Sequence, residues 1–156
     1  MNDTGKFMLL GDIGAGKTTL INALYGINEE ARKTQAIEFE GNALDTPGEY
    51  LSHPRFYSAL LCTAQEVGTL VYVHAADHDS CRLPPGFMEV YNGKDIVGVI
   101  TKTDLPEACP GAVHALLRAN GIRGPIFRVS MRDPASLLPL KALLMGPETP
   151  AKERSA

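Results

Sequence analysis

At 156 residues, 44% of them hydrophobic and 21% charged, the chain has the size and balance of one globular domain with one core. A formal net charge of −3, with no basic run, argues against binding the phosphate backbone of nucleic acid. Cys62, Cys81 and Cys109 are widely spaced and offer neither a metal-ligand spacing nor a disulfide framework, which suits a reducing cytoplasm, and no apolar run approaches membrane-spanning length. Met1 to Gly5 carry neither the basic nor the apolar region of a signal peptide.

The first element is a short apolar strand, Lys6–Leu10, followed by Gly11-Asp12-Ile13-Gly14-Ala15-Gly16-Lys17-Thr18, which matches the phosphate-binding pattern G-x-x-x-x-G-K-[ST] without a mismatch. A helix follows over Lys17–Tyr25, with Leu20, Ile21 and Leu24 on one face. Glycines let consecutive main-chain N–H groups turn around an anion, and the opening helix adds its dipole and its free amides. Gly11, Ile13, Gly14, Ala15, Gly16, Lys17, Thr18 and Thr19 are therefore the phosphate-binding candidates. Lys17 supplies a point charge to the β- and γ-phosphates, and Thr18 a hydroxyl for Mg²⁺.

Next come strands at Ala36–Glu40 and Asn42–Asp45, either a minimal hairpin turning at Gly41-Asn42 or one long strand. Ile37 and Phe39 alternate with Glu38 and Glu40, which predicts a sheet edge with one wet face. Asp45-Thr46-Pro47-Gly48 follows directly. Alone it would be a common turn. Placed after a P-loop and a strand, it offers a carboxylate for Mg²⁺ (Asp45) and a main-chain amide for a γ-phosphate oxygen (Gly48). Thr34, between the first helix and the next strand, is a candidate to close over the nucleotide and give its hydroxyl to Mg²⁺; its alternative is an ordinary loop threonine.

A second helix is predicted over Pro54–Glu66 and a strand over Thr69–His74. The connection from Ala75 to Asp95 contains Pro84-Pro85-Gly86, so only Phe87–Tyr91, about a turn and a half, can be helical. The strand Ile96–Thr101 leads into Thr101-Lys102-Thr103-Asp104. Guanine presents N1–H and an exocyclic amine on one edge, and a single carboxylate accepts both; adenine would turn a lone pair toward it. Asp104 is the base-reading candidate, with the stem of Lys102 along the base face. A third helix runs Pro110–Asn120, stopped by Gly121. Strand Pro125–Val129 delivers Ser130 and Met131, where main-chain amides could reach the base oxygen. The last helix is Leu137–Met145, with Ser136 as N-cap and Pro139 tolerated in its first turn. Residues 147–156 read as a flexible polar tail behind a domain of residues 1–146. Alternating strands and helices predict a doubly wound α/β sheet.

His74, Asp77, His78, Asp79 and Cys81 cluster after a strand, but polar residues gather in loops for solvation alone, and no metal site is predicted there. His53 and His114 read as surface residues, and Arg32 as a solvated loop cation rather than an arginine finger.

Taken in this order, the P-loop, D-T-P-G, T-K-T-D and Ser130-Met131 resemble the small GTPases of the translation-factor-related P-loop class over almost the whole chain. More narrowly, Lys33-Thr34-Gln35-Ala36-Ile37-Glu38-Phe39 and Asp45-Thr46-Pro47-Gly48-Glu49-Tyr50-Leu51 look like the EutP/PduV family, associated with ethanolamine and propanediol utilisation and bacterial microcompartments. The resemblance implies a three-layer, Ras-like fold with a compact, mostly parallel sheet, and GTP or GDP as ligand with Mg²⁺. It also implies a cytoplasmic location beside a metabolic compartment, with a protein partner in its shell or among its enzymes. Three departures stand out. Thr101 opens the guanine motif where Asn is usual, and Asn braces the P-loop, so weaker affinity with unchanged base choice is expected. Met131 replaces the usual Ala. Glu49 stands where signalling GTPases commonly carry a water-orienting Gln. Lys17, Thr34, Gly48 and Glu49 form the expected catalytic set, and slow unassisted GTP hydrolysis is the expected activity. Two alternatives stay open: a P-loop phosphotransferase acting on a small metabolite, and a nucleotide-binding module without turnover.

Overall fold

In a computed structural model, described over residues 6–11, 14–25, 38–40, 43–46, 50, 53–77 and 94–145, the chain forms a sheet with helices on both faces. The strands are β1 (Phe7–Gly11), β2 (Glu38–Glu40), β3 (Ala43–Asp45), β4 (Thr69–Ala75), β5 (Asp95–Thr101) and β6 (Ile126–Arg128). Their spatial order is β2-β3-β1-β4-β5-β6, and every pairing is parallel except β2 with β3. The helices are α1 (Lys17–Tyr25), α2 (Tyr57–Ala64), α3 (Pro110–Ala119) and α4 (Leu138–Met145).

The period of two in β1 builds two cores at once. Met8 and Leu10 point into one with Leu44, Leu60, Tyr72, Ile100 and Leu117, from β3, α2, β4, β5 and α3. Phe7 and Leu9 point into the other with Leu20, Leu24, Val73, Val99 and Leu140, from α1, β4, β5 and α4. Full burial of each such side chain contributes about 1.5–3 kcal/mol, so β1 is held from both faces. It lies between β3 and β4, and the chain leaves it to opposite sides of the sheet. Ligands of open α/β sheets sit beyond the strand ends at such a reversal, which is where the glycine-rich loop emerges.

The hairpin alternative is the one adopted: Phe39 lies opposite Leu44 in an antiparallel pair, with β2 at the sheet edge. Two helix starts move. Pro54–Phe56 is a 3-10 turn, and α2 begins only at Tyr57. It ends at Ala64, short of Glu66, because Gln65, Glu66 and Val67 donate to Cys62, Thr63 and Ala64, the tighter spacing of a closing turn. At the last helix, Pro134–Leu137 is also a 3-10 turn, so Ser136 is not an N-cap. Its hydroxyl is drawn into the loop before it instead. Strand β6 is one residue shorter at each end than expected, although Gly98 still donates to the carbonyl of Pro125 and Val129 to that of Ile100. The stop at Gly121 holds: its φ is +97°, its amide donates to Arg118, and the Ile122 amide donates to Leu117, a Schellman closure. The helical piece expected at Phe87–Tyr91 and the tail lie outside the described residues.

His74 corrects the picture of a solvated cluster. It is a buried residue of β4, with its Nδ1 3.5 Å from the hydroxyl of Tyr72 on the same side of the strand. His78, Asp79 and Cys81 lie outside the described residues, and among those described no group of three or more His, Cys, Asp or Glu could hold a metal ion. His53 is exposed and lies edge-on to Phe56; His114 is half-buried on α3.

Candidate nucleotide site

The candidate phosphate seat is a main-chain construction. Gly14 and Gly16 have φ of +82° and +96°, a conformation that L side chains rarely adopt. Gly11 is required for a different reason: a Cβ there would meet the carbonyl oxygen of Val73 at 2.6 Å. The loop can therefore sit directly on β4. The amide of Leu20 donates to the carbonyl of Gly16 at 2.8 Å, which starts α1 and leaves the preceding amides at its N-terminus directed away from the helix ladder. Lys17 opens this helix and is buried, Thr18 is half-buried and Thr19 is exposed.

Thr18 sits beside the second motif. Its hydroxyl donates to Oδ2 of Asp45 at 2.8 Å, across 27 residues of sequence. A hydroxyl and a carboxylate are the hard oxygen donors that Mg²⁺ takes, so this pair fits the ion. The next residue, Thr46, donates its hydroxyl to the carbonyl of Leu9 at 2.7 Å and pins the start of the D-T-P-G loop onto β1. Thr34, Gly48, Glu49, Ile13 and Arg32 lie outside the described residues.

The candidate base seat is tied to the candidate phosphate seat by two long-range bonds. Thr101 donates its hydroxyl to the carbonyl of Ala15 at 2.6 Å, so the brace expected of an Asn is supplied by a threonine. Lys102, with φ +60°, donates its ammonium to the carbonyl of Gly14 at 2.8 Å, which lays the lysine stem across the gap between the two loops. Asp104 stands beyond them. Its Oδ1 accepts the hydroxyl of Ser130 at 2.8 Å. That bond chiefly, then one from its own main-chain amide, holds the carboxyl below its ordinary range; slight desolvation opposes, and Arg132 adds to the lowering.

Ser130 does something other than what its position suggested. Its amide donates to the hydroxyl of Ser136 at 3.0 Å. The amide of Arg132 donates to the Ser130 hydroxyl at 3.1 Å. Met131 lies between these two committed amides and packs its side chain against the core. Ser136 in turn donates to the carbonyls of Asp133 and Ser130, at 2.7 and 3.2 Å. The result is a closed loop whose main effect is to aim Ser130 at Asp104.

Three residues of this arrangement carry no signal in the sequence, Thr46, Thr103 and Arg132, and a fourth, Ser136, carries a misleading one. Thr103 shares the carbonyl of Val129 between its amide and its hydroxyl, at 3.5 and 3.0 Å, joining the loop after β5 to the one after β6. Thr46 and Thr103 lie inside recognised motifs, but at positions the motifs leave open.

Residues 4–145 match the family model described as PduV-EutP, ethanolamine utilisation - propanediol utilisation. A protein of Salmonella typhimurium named "Probable acetate kinase EutP" is 50% identical over 133 residues, which cover 85% of this chain and 84% of that protein. The propanediol utilization protein PduV of Citrobacter freundii is 39% identical over 100 residues, covering 64% of this chain and 66% of that one. Among solved structures, that of Methanosarcina barkeri Roco2, bound to GDP, superposes with a TM-score of 0.57 at 17% identity. The superposition covers 93% of this chain and 49% of the Roco2 chain, so the likeness concerns about half of that protein and establishes the fold, a Ras-like P-loop α/β domain. With the family model matching from residue 4 to residue 145, the chain belongs to the PduV-EutP family of ethanolamine and propanediol utilisation.

Proposed function

We propose that this protein binds GTP and GDP and hydrolyses GTP slowly. The observation that carries the proposal is the cross-brace between the two loops: Thr101 on Ala15 and Lys102 on Gly14, with Asp104 held ionised beyond them by Ser130. A loop that served only as a turn would need no such ties to a phosphate seat 86 to 88 residues away in sequence. Main-chain amides from Gly11 to Thr19 with the Lys17 ammonium receive the phosphates, and Asp104 accepts the two donors of the guanine edge.

Thr18 and Asp45, with Thr34, would hold Mg²⁺, which when bound neutralises charge on the β- and γ-phosphate oxygens. In this reading the Gly48 amide would meet a γ-phosphate oxygen, and Glu49 takes the sequence position where signalling GTPases commonly carry a water-orienting Gln. A carboxylate there adds like-charge repulsion, and phosphoryl transfer asks little of a general base, so unassisted turnover is slow. Release of the γ-phosphate frees the segments around Thr34 and Gly48 and changes a surface read by a protein partner of the utilisation machinery, in the cytoplasm or on a microcompartment.

The name of the Salmonella relative favours a second reading, phosphoryl transfer between a nucleotide and a small carboxylate. Single-turnover loss of GTP, measured with and without added acetate, separates the two. The first reading expects slow formation of GDP and inorganic phosphate at a rate that acetate does not change. Acetate-dependent loss with acetyl phosphate as product would replace it by the second.

A further inference from the structure

Arg132 brings its Nε within 3.4 Å of Oδ2 of Asp104, the oxygen that Ser130 does not take. The two neighbours approach from different sides. Ser130 is buried, whereas the Arg132 side chain is 86% exposed and that of Asp104 is 28% exposed. Arg132 thus meets the carboxylate on its solvent-facing side, the side open to an arriving base. The match is also chemical. The edge of guanine read by a carboxylate, N1–H and an amine on one carbon, is itself a neutral guanidine; an arginine side chain presents the charged version of the same donor pair.

We propose that Arg132 tunes nucleotide affinity as a built-in competitor: its guanidinium holds the outer oxygen of Asp104 until guanine displaces it. The inference rests on the guanine reading above. The contact never has to be strong. An exposed pair of this kind shifts an equilibrium by no more than about fivefold, while a nucleotide seated by its phosphates presents its base at high effective concentration. Arg132 therefore yields to the ligand while lowering its apparent affinity, and it keeps an ionised carboxylate satisfied in the meantime. Because both partners are open to solvent, added salt weakens the competitor more than it weakens the buried Ser130 bond.

The test is a calorimetric titration of GDP with Mg²⁺ into the full chain, the Arg132→Ala variant and an Arg123→Ala control, at about 50 mM and about 500 mM KCl. Arg123 is exposed and lies outside the site, so its loss reports the effect of removing one positive charge. Relative to that control, Arg132→Ala is expected to bind GDP about two- to fivefold more tightly at low salt, with the gap closing at high salt. Equal or weaker binding by Arg132→Ala overturns the proposal, weaker binding meaning that the guanidinium supports the base. If the parent chain takes up no GDP, the guanine reading itself fails, and this inference with it; binding by the parent with no gain in the variant removes the inference alone.

Discussion

Between Gly11 and Thr18 the proposed phosphate seat is made by neighbours in sequence: glycines at positive φ, a helix start, and one lysine. The base seat is assembled from residues that meet only after folding. Asp104 depends on Ser130, 26 residues away, and Ser130 on Ser136; Thr101 and Lys102 reach back 86 and 88 residues to the P-loop. The first region is fixed by main-chain geometry, which tolerates few residue types. The second is fixed by side-chain hydrogen bonds, which several residue types can supply. Thr101 illustrates this, since it makes the brace usually expected of an Asn.

The largest expected effect lies in the phosphate seat. Lys17→Ala removes a charge-assisted contact worth about 1.5–3 kcal/mol, so nucleotide affinity should fall roughly ten- to a hundredfold or more. Affinity for GDP and GTP, measured by titration, checks it. In the proposed reading the lysine meets phosphate rather than base, so GTP and ATP should lose alike; a loss confined to GTP would break the division between the two regions.

An intermediate effect is expected where the regions join. Thr101→Val keeps the shape of a buried side chain but leaves the carbonyl of Ala15 without its 2.6 Å donor. Stability in urea should drop by about 1–3 kcal/mol, with weaker nucleotide binding as the P-loop loses its brace. Unchanged stability and affinity would mean that the two seats are independent.

The smallest effect is a flat profile. The carboxyl of Asp104 sits below its ordinary value of 3.8 in the folded chain. What the ionised form contributes is therefore fully present above the ordinary value and lost only as pH falls through the lowered one. Guanine affinity should show no titration from Asp104 between about pH 5 and about pH 8. A carboxylate-type transition inside that window would show that Ser130 does not hold the group as described.

The same contrast explains what was legible in the sequence. Helix α1, the succession of strands along the chain and the P-loop motif followed from periodicity and a contiguous pattern, and both faces of β1 are filled. The Pro110 and Gly121 bounds of α3 were readable because each residue acts on its own backbone. Ser136 was misread for the converse reason. A serine before an apolar run looks like an N-cap, and only the fold shows that Ser130 competes for its hydroxyl. Arg132 and Thr103 gave no signal, since their partners Asp104 and Val129 lie 28 and 26 residues away and no local pattern links them. His74 closed the expected strand Thr69–His74 but was grouped with the polar residues that follow it; the strand runs on to Ala75 and buries it.

The central claim is that Asp104 reads a guanine edge beside a phosphate seat. Calorimetry of Asp104→Asn against GTP and xanthosine triphosphate tests it most directly. The account predicts weaker GTP binding and a gain for the xanthine nucleotide, whose C2 carbonyl accepts the new amide donor. Unchanged GTP affinity in that variant would contradict it.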